Sequence, residues 1–349
     1  MSYHTEQEHE LIEKINALKP KLPAFWDDYY TARKGRRSIR TMYAYASDLA
    51  IFCEYITGSV EGLEGKPANE LTAEDFGKVK KKDIDAFMDY LTRYEHGDAE
   101  IVNGVASRNR KLSAVRSVYR YLLQEELIEK NPAEFVEAGK LGKKVVDAYD
   151  PGEVASIIEE ADEGRKLTKR MQAHHENYAA RDYAIMMVLF GTGMRVSELV
   201  GLDLSDFDER NMYFTVRRKG GNQEAVFASE EVFEAVKAYL PVREEEIRKK
   251  GKDTPALFLS SRCQRISVDS IEILMKKYAG AALGSIKGKK AHPHQARASF
   301  ATNLLSDTGG DLHLVAKALG HASSKVTEEH YLKDDENRRR EAIRKMELK

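Results

Sequence analysis

Cysteine is nearly missing from this sequence: Cys53 and Cys263, far apart and each inside an apolar-patterned segment, are the only two in 349 residues. That excludes a disulfide scaffold and any CxxC zinc knuckle, and it predicts two reduced, buried thiols. Long apolar runs are missing too. No stretch approaches the ~20 residues of a membrane span, and the opening MSYHTEQEHELIEK is polar, so the expectation is a cytoplasmic chain with no membrane partner. Nor is there an excess of one charge: 56 Lys and Arg face 57 Asp and Glu, a formal balance of −1. This argues against a polybasic coat protein, yet it leaves room for basic patches on one face balanced by acidic ones elsewhere. What is present, 42% hydrophobic and 32% charged residues, is a globular composition. At roughly 150 residues per domain the length predicts two domains, each large enough for its own core.

Almost everything reads as helix. From Ser38, a residue suited to an N-cap, the apolar positions Tyr45, Leu49, Phe52 and Ile56 recur at helical steps and share one face. A second helix is expected from about Asp83, where Ile84, Phe87, Met88 and Leu91 repeat the spacing. A third lies in ASRNRKLSAVRSVYRYLLQEELI, with Leu112, Val115, Tyr119 and Leu122 inward and Arg108, Lys111, Arg116 and Arg120 on the other face. Asn131-Pro132 reads as a stop, and GKLGKKVVDAYDP has no helical period. The expected organisation is a helical domain over 1–138, a linker over 139–150 and a second domain over 151–349. The second domain opens with a helix around Pro151 to Glu160, then a polar insertion from about Asp162 to Tyr178 whose His174 and His175 are read as solvated. DYAIMMVLFGTG reads as a buried helix ending at a Gly-Thr-Gly break. MYFTVRRKGGNQEAVFA alternates apolar and polar residues on both sides of Gly220-Gly221, the pattern of a hairpin. A short strand LFLS is expected before the last group of helices. The fold class is therefore mainly α with a small β-sheet: a helical domain followed by a mixed α+β one.

Polar residues of particular types recur where a helical core has no need of them: Arg195 after the glycine break, Lys219 at the hairpin tip, His294 with Arg297, His321, and Tyr331. Two guanidiniums and a lysine can neutralise the non-bridging oxygens of a phosphodiester, since arginine forks onto phosphate with two hydrogen bonds. Histidines can add hydrogen bonds or carry protons near neutral pH. A tyrosine can attack phosphorus and keep the bond energy as a phosphotyrosine. No Asp/Glu cluster with metal-ligand spacing accompanies them, so neither metal nor other cofactor is expected. By pattern alone Arg217 and Arg218 compete with Lys219 at the tip, and His292-Pro293-His294 could be half of a metal site that lacks a third ligand at helical spacing.

GTGMRVSELVGL, RKGGNQEAVF, HQARASFAT and LGHASSKVTEEHY resemble, in that order, the four signature segments of the tyrosine recombinases, the phage integrase and Xer family. ASRNRKLSAVRSVYRYLLQEELIEKNPAE is similar to that family's core-binding domain, so the resemblance covers nearly the whole chain. It implies a C-shaped DNA clamp of a helical core-binding domain and a mixed catalytic domain. It also implies a site-specific recombinase that exchanges strands through a 3′-phosphotyrosine and a Holliday junction, without metal or ATP. The expected partners are double-stranded DNA with an inverted-repeat core site, three further copies of the chain in a homo-tetramer on two such sites, and an accessory protein, either a division-linked DNA translocase or a directionality factor.

Carried over position by position, the resemblance has Arg195 and Arg297 grip the scissile phosphate and Lys219 protonate the leaving 5′ oxygen. His294 and His321 assist proton transfer and hold the phosphate, Tyr331 attacks, and Glu198 supports Arg195 in the family's RxxE pattern. Two departures stand out. The residue after the second arginine, often His in relatives, is Ala298, and Tyr331 lies ten residues after His321 where many relatives use nine; the ninth residue here is His330, which is no phenol.

Expected DNA contacts are Arg33, Lys34, Arg36, Arg37 and Arg40 before the first core-binding helix, then Arg108, Lys111, Arg116 and Arg120. Lys140, Lys143 and Lys144 in the linker and Lys287, Lys289 and Lys290 before His294 complete the set. LKPKLPAFWDDYY, the polar insertion and LGHASSKVT are similar to the single-protein Xer recombinases of streptococci and lactococci, which implies chromosome dimer resolution at cell division. The rivals are an integrase or excisionase of a mobile element, a type IB topoisomerase, a non-catalytic DNA-binding regulator, and a metallohydrolase using His292, His294 and His321. The segment DDENRRREAIRKMELK reads as a short helix whose narrow stripe of Ala342, Ile343 and Met346 is expected to dock on a neighbouring protomer.

Overall fold

The helices begin where the sequence offers caps. Ser38 Oγ accepts from the Thr41 amide at 3.2 Å, Thr72 and Asp75 form a reciprocal capping box, and Asp150 with Glu153 forms another just ahead of Pro151. Each satisfies N–H groups that have no partner inside the helix. The structure, a computed structural model, describes residues 3–97, 99–142, 147–218, 221–284 and 286–320. The chain divides into two units, Met1–Lys143 and Lys144–Lys349.

The first unit contains helices α1 (Tyr3–Leu18), α2 (Trp26–Arg33), α3 (Ile39–Ser59), α4 (Ala73–Lys78) and α5 (Lys81–Tyr90), an antiparallel hairpin β1 (Arg93–His96) and β2 (Ala99–Val102), and α6 (Val105–Gln124). Leu49, Phe52, Ile56, Leu112, Val115, Tyr119 and Leu122 are all buried in one core, as their spacing predicts. Phe52 sits at its centre, with ring centroids 5.0 Å from Phe87 and 6.0 Å from Phe76. Two elements escape a reading by periodicity. Among the described side chains of α1 only Ile15 is fully buried, amid a charged segment. The hairpin is mostly exposed, lacks apolar alternation, and is closed by Arg93 Nε and Nη2 donating to Glu100 at 2.5 and 3.0 Å.

The second unit runs α7 (Pro151–Glu163), α8 (Lys169–Thr192), α9 (Val196–Gly201), strands β3 (Phe207–Asp208), β4 (Tyr213–Arg217) and β5 (Gln223–Phe227), then α10 (Glu230–Lys250), α11 (Val268–Leu283), α12 (Ile286–Lys289), α13 (Pro293–Asp307) and α14 (Leu312–Leu319). The strands form one antiparallel sheet in the order β3-β4-β5, with Tyr213 opposite Phe227 and Arg217 opposite Gln223. The expected hairpin is thus present, with a short third strand beside it.

Two expectations for this unit need correction. The polar insertion is mostly helix: α8 starts at Lys169, and His175 is buried rather than solvated, its Nδ1 3.0 Å from the Tyr278 hydroxyl and its Nε2 3.2 Å from the Asp162 carbonyl. Tyr278 donates onward to Asp182 at 2.6 Å, so buried polar side chains of α8 and α11 satisfy each other. The segment LFLS is not a regular strand: Leu259 makes an isolated bridge with Arg265, and Ala256 just before the segment another with Asp203. Just ahead of the segment, the carbonyls of Thr254 and Ala256 accept from Arg243. Both cysteines are free and buried, and burial pushes the Cys53 thiol far up. Among the described residues no helix is long and apolar enough to cross a membrane, and no cluster of His, Cys, Asp or Glu could hold a metal ion.

Candidate active site

α8 stops at Gly193, whose φ of 61° lies in the left-handed region. A Cβ there would run into the Phe300 ring and approach the Leu319 side chain, so glycine answers both a conformational and a steric demand. The chain then turns directly into α9, with Arg195 at its N-cap. Glu198 accepts from the Arg195 backbone N–H at 2.8 Å and from its Nη1 at 2.7 Å. The carboxylate is buried, whereas the Arg195 side chain keeps 39% of its surface, so the acid fixes the guanidinium while leaving part of it open to a ligand.

Arg297 comes from α13 and is only 7% exposed. Its Nη1 donates to the Gly193 carbonyl at 2.6 Å and its Nη2 to the Leu319 carbonyl at 2.8 Å. The second arginine is therefore tied to the turn that carries the first and to the last residue of α14, two positions before His321. His294 lies in the first turn of α13 and is exposed. Gln295 buttresses that turn: its Oε1 accepts from the Tyr149 hydroxyl at 3.2 Å and its Nε2 donates to the Asp147 carbonyl at 3.1 Å. Ala298 is buried and simply packs. Lys219, His321 and Tyr331, together with Lys143, Lys144 and the tail stripe, lie outside the described residues.

The expected DNA contacts fall into two groups. Lys34, Arg36, Arg37, Arg40, Arg120, Lys140, Lys289 and Lys290 are exposed. The other described ones, Arg33, Arg108, Lys111, Arg116 and Lys287, are engaged within the protein. Lys111 must be corrected: it is buried on α6, with Nζ 3.9 Å from Asp48 and 3.3 Å from Ser107 Oγ, because the buried Asp48 carboxylate needs compensating charge. Arg116 donates to the carbonyls of Ala133 and Val136 and straps the segment after α6 back onto it. Arg33 donates to Gln124 at 3.1 Å and Arg108 to Thr92 Oγ1 at 3.0 Å. Lys287 donates to the Ala148 carbonyl at 2.8 Å and to Glu153 at 2.6 Å, holding the start of the second unit.

The phage integrase family matches residues 158–338, more than half of the chain. The chain is also 32% identical over 345 residues to the tyrosine recombinase XerC of Caldanaerobacter subterraneus subsp. tengcongensis, with 96% of this chain and 89% of that protein covered. The chain belongs to the phage integrase family of tyrosine recombinases. It is a DNA strand-transferring enzyme. The tyrosine recombinase XerD of Mycobacterium tuberculosis is 29% identical over 301 residues, covering 86% of this recombinase and 89% of the relative. In fold it is similar to the XerH site-specific recombinase bound to palindromic difH substrate in a post-cleavage complex, with a TM-score of 0.64 and 20% identity over 90% of this chain and 82% of that one.

Two residues of the recombinase site are not singled out by residue type. Gly193 is visible in sequence only as a helix break. Arg218 competes on paper with Lys219, but its side chain turns inward: Nη1 donates to the Leu319 carbonyl at 2.5 Å and Nε pairs with Glu224 at 2.7 Å. The two-residue period of the strand separates it from exposed Arg217, since Arg218 continues the inward face of buried Phe214 and Val216.

Proposed function

We propose that this recombinase cuts and rejoins DNA at an inverted-repeat core site through a 3′-phosphotyrosine on Tyr331, and exchanges strands through a Holliday junction in a homo-tetramer on two sites. The observation that carries the reading is the joint anchoring of two arginines, Arg195 by buried Glu198 and Arg297 by the carbonyls of Gly193 and Leu319. Guanidiniums fixed before the substrate arrives stabilise the charge that develops on the non-bridging oxygens without reorganising during the reaction. Tyr331 forms the new bond to phosphorus as the bond to the 5′ oxygen breaks, and Lys219 supplies the proton that the leaving oxygen needs. His294 and His321 hold the phosphate and take up the phenol proton. Because one phosphodiester-type bond replaces another, the cycle needs neither ATP nor metal.

The first unit serves as core-binding domain and the second as catalytic domain. Lys34, Arg36, Arg37, Arg40, Arg120, Lys140, Lys289 and Lys290 are the cations exposed for phosphate contact, since Lys111 is buried. The near-full-length likeness to proteins named XerC and XerD supports chromosome dimer resolution in the cytoplasm, with a division-linked accessory protein setting its timing.

The test is a nicked suicide substrate. Tyr331→Phe should retain DNA binding and form no covalent adduct, and a gel-stable adduct with the Phe variant would remove Tyr331 from the role. For the cellular role, deletion should leave chromosome dimers unresolved. Normal dimer resolution with loss of excision of a resident element would assign the enzyme to a mobile element instead.

A further inference from the structure

Arg218 immediately precedes Lys219, and its side chain is turned into the protein. The side chain is 10% exposed, with Nε paired to Glu224 on the opposite strand of the β4–β5 hairpin and Nη1 on the Leu319 carbonyl. Its backbone closes the hairpin on both sides of the tip: the Arg218 N–H donates to the Asn222 carbonyl at 2.8 Å, and the Gly221 N–H donates to the Arg218 carbonyl at 3.0 Å. The Leu319 carbonyl is one of the acceptors that a helix leaves unsatisfied at its C-terminal end, where the helix dipole also favours a cation. It receives Arg297 as well. Gly320, with φ 60°, leaves room for the contact, since a Cβ at that position would overlap the Arg218 guanidinium.

We infer that Arg218 is a positioning residue, fastening the base of the β4–β5 hairpin to the end of α14, where Arg297 is also anchored, and acting through Lys219, the next residue in the chain. This rests on Lys219 being the acid that protonates the leaving oxygen. The planar fork of arginine can serve Glu224 and Leu319 at once, whereas a lysine ammonium at the same place must leave one of them. Arg218 cannot be the acid itself, because a guanidinium does not give up its proton in proteins. Its effect is transmitted through the hairpin, and a shift of ~1 Å in a catalytic group can cost on the order of 10²-fold in rate.

The experiment measures cleavage of nicked suicide substrates with either the normal 5′ oxygen or a bridging sulfur, which leaves without a proton. Gel-shift affinity is read in parallel. Arg218→Ala should bind DNA, slow oxygen-substrate cleavage by roughly 10- to 100-fold, and recover on sulfur. Arg218→Lys should show a smaller defect with the same recovery. Arg195→Ala is the control that sulfur does not restore. If Arg218→Ala cleaves the oxygen substrate normally, or is equally slow on both, the inference is overturned. Should the Ala variant fail to bind DNA, Arg218→Lys decides by the same ratio. Lys219→Ala separates the positioning role from the acid role. Recovery of Lys219→Ala on sulfur without recovery of the Arg218 variants sinks the positioning role alone, while no recovery of Lys219→Ala sinks the acid assignment and the inference with it.

Discussion

Arg297 donates from Nη1 to the carbonyl of Gly193 at 2.6 Å, and so fixes itself to the turn from which Arg195 departs. The two guanidiniums proposed to share a phosphate are thereby set on one piece of backbone rather than on two independent helices. A buried arginine is held in place by its donors, and the Gly193 and Leu319 carbonyls occupy both of its terminal nitrogens.

That relationship makes Gly193 a sensitive position. Gly193→Ala must carry a side chain at φ 61° and push against Phe300 and Leu319. The left-handed conformation alone costs on the order of 1–3 kcal/mol. The variant should melt at lower temperature, and its cleavage rate should fall by ~10²-fold as the Arg297 acceptor moves. A folded variant with unchanged cleavage would show that the Gly193 carbonyl does not set the geometry.

Exposed and buried cations should separate in a salt titration. Replacing Lys34, Arg36 and Arg37 together by alanine should flatten the dependence of log affinity on log salt by ~0.9 for each phosphate that is no longer neutralised. Lys111→Ala should leave that slope unchanged and instead lower stability by ~1–3 kcal/mol, because it strips a partner from buried Asp48. A reduced salt slope for Lys111→Ala would return that lysine to the DNA surface.

Asp48 predicts a pH dependence of folding. Burial raises its carboxyl to about 6, against the pull of Arg110 and Lys111. With the folded value above the unfolded one, the native state holds the proton more tightly, so this contribution is full below the unfolded value near ~3.9 and is lost as pH rises through about 6. Between pH ~4 and ~7 the unfolding free energy of wild type should therefore fall relative to Asp48→Asn, by on the order of 1–3 kcal/mol. Denaturant melts at the two pH values check it, and a constant difference between the proteins would contradict the raised value.

The segment after the proposed nucleophile gives a fourth test. A chain ended after Lys333 keeps every proposed catalytic residue, so it should bind a single site yet lose strand exchange between two. Adding full-length Tyr331→Phe, which can lend its tail but cannot cut, should restore cleavage by the shortened chain. Recombination at full rate by the shortened chain alone would place the coupling between protomers in another interface.

The features legible in the sequence by itself are those encoded within a turn or two of chain. The apolar spacing of Leu49, Phe52 and Ile56 buries one face of α3, alternation around Gly220-Gly221 makes the hairpin, and Arg195 lies one turn from Glu198, within reach for the carboxylate to accept from its backbone N–H and its guanidinium, as the RxxE resemblance implies. Periodicity failed where polarity hid it, in α1 and in the first turns of α8. It also misassigned Lys111 and His175, because a polar residue on a helix face is solvated or buried according to what packs against it. For Lys111 that neighbour is Asp48, and for His175 it is Tyr278. The contacts that assemble the site were decided only by packing: Arg297 to Gly193, Arg297 to Leu319 and Arg218 to Leu319. Their acceptors are carbonyls left open where α8 and α14 end, and residue order alone does not say which distant arginine meets a given helix end once the cores close.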